Sequence, residues 1–230
     1  MISQVKNLPE LCAVKSAELI RIKCLYDAYA GLARFWEQNG SGTLISMLDG
    51  NVTVYNSGAD ITELREFLSF VSPSSVFSDS KTLEMLGIHS YQKVCVMSRF
   101  GDISPIDSPD ELRSDEIYEI LNTEGLKLPP YEYFAVDFCR RKNLGGLQCF
   151  AKKDRYAAIS ISSGQAALIQ GIASRVKGEG SRALCGIVSR SYGKTVLACA
   201  REELCGFYTK NGFEYSYSAG YCVRNENGIF

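Results

Sequence analysis

The sequence predicts an α/β (α+β) protein built on a mixed, mostly antiparallel sheet flanked by helices, with a smaller N-terminal α/β domain. Three observations carry this. Four strand-like runs, Tyr133–Arg140, Leu147–Lys152, Ala157–Ser162 and Ala166–Ala173, are separated by short breaks that suit antiparallel hairpins. A helix, a strand, a second helix and two short strands are then expected. The N-terminal half shows a rougher helix, hairpin, helix, strand order, which admits a diverged duplication, although no residue-level repeat is visible.

The elements follow in order. Residues 9 to 38 read as helix, because Leu19, Ile22, Leu25, Tyr26, Tyr29, Leu32, Ala33 and Trp36 recur at spacings of three and four. Asn39-Gly40-Ser41-Gly42 stops it. Thr43 to Tyr55 reads as a hairpin, since Asp49-Gly50 favours the type I′ turn that matches strand twist. Asp60 and Glu63 have capping-box spacing ahead of Leu64, Phe67 and Leu68, and Ser72-Pro73 closes that helix. A short helix near 80–86 and a strand over Lys93–Met97 come next. The segment 101–110 carries two prolines, three aspartates and two serines and reads as a linker, dividing the chain into 1–105 and 112–230. A helix over Glu111–Leu121 precedes the meander. After it come a helix from Gly180 to about Tyr192, a buried strand Thr195–Cys199 and a helix Glu202–Lys210.

Composition bounds the function. The chain has 230 residues, 46% hydrophobic and 22% charged, enough apolar material for one or two cores. A net charge of -1 argues against a dedicated nucleic-acid binder. The basic run Arg140-Arg141-Lys142 reads as a solvated hairpin end. Nine scattered cysteines include no Cys-x-x-Cys, and one histidine, His89, cannot complete a zinc set, so no metal is expected. The cysteines read as small buried hydrophobes in a reducing cytoplasm. The start Met1-Ile2-Ser3 lacks the basic and apolar blocks of a secretory leader, and no apolar run approaches membrane-spanning length. The expectation is a cytoplasmic protein, monomer or homodimer, without membrane or nucleic-acid partners.

The chemistry concentrates near the C-terminus. In Arg175-Val176-Lys177-Gly178-Glu179-Gly180-Ser181, glycines precede a helix. The first N–H groups of a helix lack internal partners, its dipole makes that end positive, and glycine lets backbone approach an anion closely. Arg175, Lys177 and Arg182 add charge, and Glu179 is expected to face solvent. Alone the turn is also compatible with a plain strand-to-helix connection. A dinucleotide fingerprint fails for want of a third glycine and a parallel βαβ unit. Gly193-Lys194-Thr195 resembles the end of a P-loop, but Val188 stands where the loop needs glycine, and the helix precedes the strand.

A second motif follows one helix and one strand later: Tyr208-x-x-x-Gly212-Phe213. With Arg175, Gly178 and Gly180 it resembles the GNAT N-acetyltransferases, whose Arg/Gln-x-x-Gly-x-Gly/Ala turn is followed by a Tyr-x-x-x-Gly-Phe close. The resemblance covers about 112–230 and implies a GNAT-like fold, with 1–105 a degenerate half of the same kind lacking both motifs. It implies acetyl-CoA as co-substrate and a small-molecule or amino-group acceptor. The pyrophosphate would sit on backbone N–H groups around Val176, Lys177, Gly178, Glu179, Gly180 and Ser181, beside Arg175. The pantetheine would pair with the strand near Ile172 and Ala173, and Tyr208 would protonate the leaving thiolate. The sequence departs from the family in the short approach to Gly178 and in Arg201, where asparagine is common. Glu124, Glu132 and Glu214 are the carboxylates near in sequence that could serve as base. A CoA-binding regulatory or scaffolding protein without turnover is the alternative reading.

Overall fold

The computed structural model describes residues 1–8, 15–102, 110–123, 126 and 128–224. In chain order the strands are β1 (Ile2–Gln4), β2 (Arg34–Gln38), β3 (Thr43–Leu48), β4 (Asn51–Tyr55), β5 (Ser75–Asp79), β6 (Gln92–Phe100), β7 (Leu147–Lys152), β8 (Tyr156–Ser163), β9 (Ala166–Ser174), β10 (Thr195–Ala200) and β11 (Glu214–Val223). The helices are α1 (Ala17–Tyr29), α2 (Ile61–Val71), α3 (Ser80–Met85), α4 (Ser114–Leu121), α5 (Tyr131–Asn143), α6 (Gly180–Arg190) and α7 (Cys205–Lys210). No helix among the described residues is long and apolar enough to cross a membrane.

All eleven strands join one sheet, ordered β1-β2-β3-β4-β5-β11-β6-β10-β9-β8-β7. Most pairs are antiparallel; β4–β5 and β9–β10 are parallel. The order hides a repeat. Residues 34–100 run β-β-β-α-β-α-β, and so do residues 147–223. Each series lends its last strand to the other: β11 pairs with β5, and β6 pairs with β10. The two lent strands pair with each other at the centre. Strand alternation puts successive side chains on opposite faces. Leu197 thus joins α1 residues Ala17, Ile20 and Cys24 on one face, while Val196 and Ala198 join Leu184 and Val188 of α6 on the other. Helices α4 and α5 cover Ile159 and Ala173.

The repeat extends to residues. Phe213 N–H donates to the Tyr208 carbonyl (3.1 Å), and Ile88 N–H donates to the Leu83 carbonyl (2.9 Å). Between them Gly212 (φ 79) and Gly87 (φ 82) take the same left-handed conformation. Leu83-x-x-x-Gly87-Ile88 is therefore the N-terminal counterpart of Tyr208-x-x-x-Gly212-Phe213, with a fully buried leucine where the phenol stands.

Several expected elements hold. Asp49 (φ 48) and Gly50 (φ 76) make the predicted tight turn between β3 and β4. Asp60 caps α2, but Glu63 does not complete a capping box; it accepts from Gln38 Nε2 (2.8 Å) and pairs with the N-terminal amine (3.1 Å). Other expectations are corrected. The long N-terminal helix stops at Tyr29, and Phe35 and Trp36 lie in β2, where β1 and β3 offer pairing on both edges. Leu32 is left exposed in the connecting turn. The run Tyr133–Arg140 is helical, because Phe134 and Phe138, spaced four apart, share a buried helix face. Arg140 and Arg141 are accordingly not a hairpin end. They occupy the last turn of α5 and donate to the carbonyls of Ala28 (2.6 Å), at the C-terminal end of α1, and Cys24 (3.2 Å), one turn earlier. Among the described residues one strand, not two, follows α7, with an irregularity between Tyr215 and Tyr217. Most of the expected linker, and Cys12 and Glu124, lie outside the described residues. Burial pushes the Cys24 and Cys149 thiols up to about 12, as expected of cysteines that serve as packing.

Candidate active site

Strands β9 and β10 pair only from Thr195↔Ala166 to Ala198↔Ile169. Beyond that point they part, for a local reason. Ser160 pairs with Ile169 and Ile159 with Gly171, so Gln170 is an extra residue bulged out of β9. A bulge bends its strand and twists it further. Among the described residues the edge of β9 from Gln170 to Ser174 that faces β10 has no partner strand. A cleft of about 760 Å³ opens there, lined by Arg21, Gly171, Ile172, Cys199, Tyr208 and Tyr221 among others. It runs through the sheet: Tyr208 belongs to the α6 and α7 side, whereas Cys199 and Tyr221 pack on the α1 side.

At the end of β9 the chain turns through Gly178, whose φ of 88 requires glycine and around which a side chain would meet open space. The turn uses two of its own amides: Val176 N–H donates to Ser174 Oγ (3.3 Å) and Glu179 N–H to the Val176 carbonyl (3.2 Å). Arg175 N–H donates to the Arg155 carbonyl (2.7 Å). Among the described residues, the N–H groups of Lys177, Gly178, Gly180, Ser181 and Arg182 have no acceptor. Five unpartnered amides at the positive end of an eleven-residue helix make a cradle for an anion.

Glu179 is the residue that would spoil this cradle, and it does not face solvent as the sequence suggests. It stands at the N-cap but makes no cap hydrogen bond. Its carboxylate is bound by both Arg155 nitrogens on one edge and lies 3.4 Å from Arg182 Nη1, and its side chain is only 12% exposed. The two arginines draw the carboxylate off the helix end. The N-terminal repeat shows the opposite outcome. At the start of α2 the Asp60 carboxylate accepts from Thr62 N–H (3.0 Å) and Glu63 N–H (3.2 Å), so that helix end is already occupied. There the Ser78 hydroxyl also bridges β5 to the Val54 carbonyl (2.9 Å), and Asn56 Nδ2 donates to Thr82 Oγ1 (3.0 Å).

The remaining expected site residues divide by position. Ile172 lines the cleft, whereas the Ala173 side chain packs under α4 and α5, leaving only its backbone to offer. Arg175 extends toward α4, donating to the Glu119 carbonyl (2.9 Å) and lying 3.8 Å from Asp154. Tyr208 is nine-tenths buried, edge-on to Phe207 (5.4 Å) and Phe213 (5.3 Å). Its hydroxyl makes no hydrogen bond to any described residue, although it lines the cleft. Burial, with Cys199 and Cys205 nearby, pushes the phenol above its ordinary value and keeps it protonated. Glu132 and Glu214 are exposed on α5 and at the start of β11.

Sequence reasoning missed the contribution of α1. Glu18 is 3% exposed, accepts from Tyr217 (2.5 Å) and Ser16 (2.7 Å), and burial pushes its carboxyl up. Three residues on, Arg21 reaches the cleft wall. The signal was the pair of charges inside an otherwise apolar stretch from Ala17 to Ile22.

Neither a protein-family model nor a curated protein sequence matches the chain. Solved structures do. A GNAT-family acetyltransferase from Colwellia psychrerythraea superposes with a TM-score of 0.50 at 9% identity, over 97% of this chain and 100% of that one. A tandem GNAT protein from the clavulanic acid biosynthesis pathway gives 0.51 at 9% identity, over 89% and 87%. The chain has the GNAT acetyltransferase fold.

Proposed function

We propose that the protein transfers the acetyl group of acetyl-CoA to an amine. The observation that carries this is the parting of β9 and β10 between two unsatisfied groups: a cradle of free amides at α6 and an unbonded phenol at Tyr208. A strand edge, a positive helix end and a neutral proton donor match the amides, pyrophosphate and sulfur of one extended cofactor.

In this reading Lys177, Gly178, Gly180, Ser181 and Arg182 hold the pyrophosphate through their N–H groups. The open edge of β9 near Ile172 and Ala173 pairs with the pantetheine amides, and a backbone N–H of that edge polarises the thioester carbonyl. The acceptor nitrogen attacks the carbonyl carbon; a C–N bond forms and the C–S bond breaks. Tyr208 gives its proton to the departing sulfur, and the proton shed by the nitrogen returns to the phenolate through water. The donor enters from the α6 and α7 face and the acceptor from the α1 face. Among the described residues no carboxylate lines the cleft, which favours water as the path for that proton and keeps CoA binding without turnover as the second reading.

Calorimetric titration with CoA tests the cradle. The wild-type chain is expected to bind, and Gly178→Asp to bind at least about tenfold more weakly, from a strained backbone and a misplaced charge. Arg155→Met is expected to weaken CoA by about three- to tenfold, because the released Glu179 carboxylate turns back onto the helix end it now avoids. Absence of CoA binding to the wild-type chain would sink the proposal. Release of free thiol from acetyl-CoA with an amine separates turnover from binding alone.

A further inference from the structure

We infer that Arg21 seats a carboxylate of the acceptor, so that the substrate is an amine that also carries a carboxylate, as an amino acid does. This rests on the acetyl-transfer reading above and names the acceptor class for that same cleft.

Arg21 comes from α1, in the N-terminal half, and lines the cleft on the face opposite Tyr208. Its guanidinium is held rather than mobile: the carbon lies 4.3 Å from the Phe77 ring centre and 5.1 Å from that of Tyr221. It has no direct ion-pair partner, although Glu18 on the same helix attracts it from farther off. Among the described residues no carboxylate lies within 4.0 Å of it. Among the described residues its Nη2 donates to the Tyr221 hydroxyl and its guanidinium lies beside the Cys199 sulfur, while its Nε is enclosed with no partner. The neighbours that could have supplied a negative charge are neutral or engaged. Burial pushes the Tyr221 phenol up to about 12 and, despite the adjacent guanidinium, the Cys199 thiol up to about 11. Glu18 spends one oxygen on Tyr217 and Ser16, and its other oxygen faces no donor.

A part-buried guanidinium with no directly paired carboxylate is costly, and a ligand that brings a carboxylate would offset that cost. Arg21 lines the cleft with a single positive charge, which suits a carboxylate. A dianionic phosphate would need a second cation, and the other arginine at the cleft, Arg201, is already 3.2 Å from Glu203. Arg21 and Tyr208 stand on opposite sides of the sheet opening. A carboxylate anchored at Arg21 therefore leaves the amine of the same molecule to point through the opening toward the thioester.

The test is a panel of amino acids, each assayed beside its carboxamide, with the wild-type chain, Arg21→Met and Arg21→Lys. CoA binding is measured first; its absence refutes the acetyl-transfer reading, and direct calorimetric titration of the same acid and amide pairs then judges Arg21 alone. The expected result is that at least one acid exceeds its amide by tenfold or more in kcat/KM, or in affinity where binding is read. Arg21→Met should abolish that preference while CoA affinity stays within twofold, and Arg21→Lys should retain part of it. Equal use of acids and amides by the wild-type chain overturns the inference, a comparison that requires no variant to fold. So does a preference that survives in Arg21→Met, or stronger competition by phosphate monoesters than by carboxylates.

Discussion

Tyr208→Phe is expected to slow acetyl transfer about 100-fold, a loss of about 2.7 kcal/mol of transition-state stabilisation, while CoA affinity stays within twofold. The substitution removes one oxygen and leaves the ring, whose edge-on contacts with Phe207 and Phe213 hold the end of α7. Because the hydroxyl bonds no described residue, no internal donor or acceptor is stranded, and stability should hold within about 0.5 kcal/mol. The buried phenol titrates above its ordinary range. The acid form is thus present at neutral and mildly alkaline pH alike, and the rate loss should be the same size at both. Pre-steady-state thiol release at saturating acetyl-CoA measures it; an unchanged rate with a good acceptor would remove Tyr208 from the chemistry.

The second large effect concerns α6, whose N-terminal end carries the proposed cradle. Gly186→Leu is expected to destabilise the fold by about 3 kcal/mol, lowering Tm by roughly 6–12 °C. Gly186 faces β7 from the middle of α6, and a Cβ there would overlap the Phe150 ring, itself stacked on Tyr156 at 5.9 Å. The ring cannot retreat, since Phe150 lies in the same fully enclosed cluster as Leu184 and Val188. Gly206→Ala in α7 supplies the opposite sign. Nothing lies within 4 Å of its added methyl, so helix propensity alone acts and stability should rise by about 0.5–1 kcal/mol. Thermal and urea unfolding of the two variants read both numbers. Equal effects would mean that α6 does not pack on β7 as described.

The motifs at the candidate site were legible because they are local. Gly178 and Gly212 announce left-handed backbone, and Tyr208 keeps its fixed distance from Gly212 and Phe213. Most strands of the C-terminal half were legible too, because each alternates between two buried faces and is cut by short breaks. What could not be read is whatever depends on distant partners. Phe35 and Trp36 fit a helix face by spacing, and only the open edges of β1 and β3 make them a strand. Phe134 and Phe138 sit in a β-prone stretch, yet packing of α5 over β7 selects the helix. The fate of Glu179 hangs on Arg155, twenty-four residues earlier, and Arg21 is set at the cleft by Phe77 and by Tyr221, the latter 200 positions away. The repeat escaped detection because it is kept in conformation, at Gly87 and Gly212, and not in side-chain identity.

The lent strands bear on how such a chain divides its work. Two equal subunits that trade terminal strands would form a closed two-fold dimer with two equivalent pockets. Here both subunits are one polypeptide, and the symmetry is broken at the pockets. One has its helix end stoppered by Asp60 and its phenol replaced by Leu83, while the other keeps both open. In the proposed function the N-terminal half is then free to present α1 as a wall of the C-terminal pocket. A chain severed between residues 102 and 110 should accordingly elute as a single one-to-one complex in size-exclusion chromatography, because β6 and β11 each remain zipped into the sheet of the other fragment. Neither fragment alone should carry the activity, since one holds Arg21 and the other Tyr208.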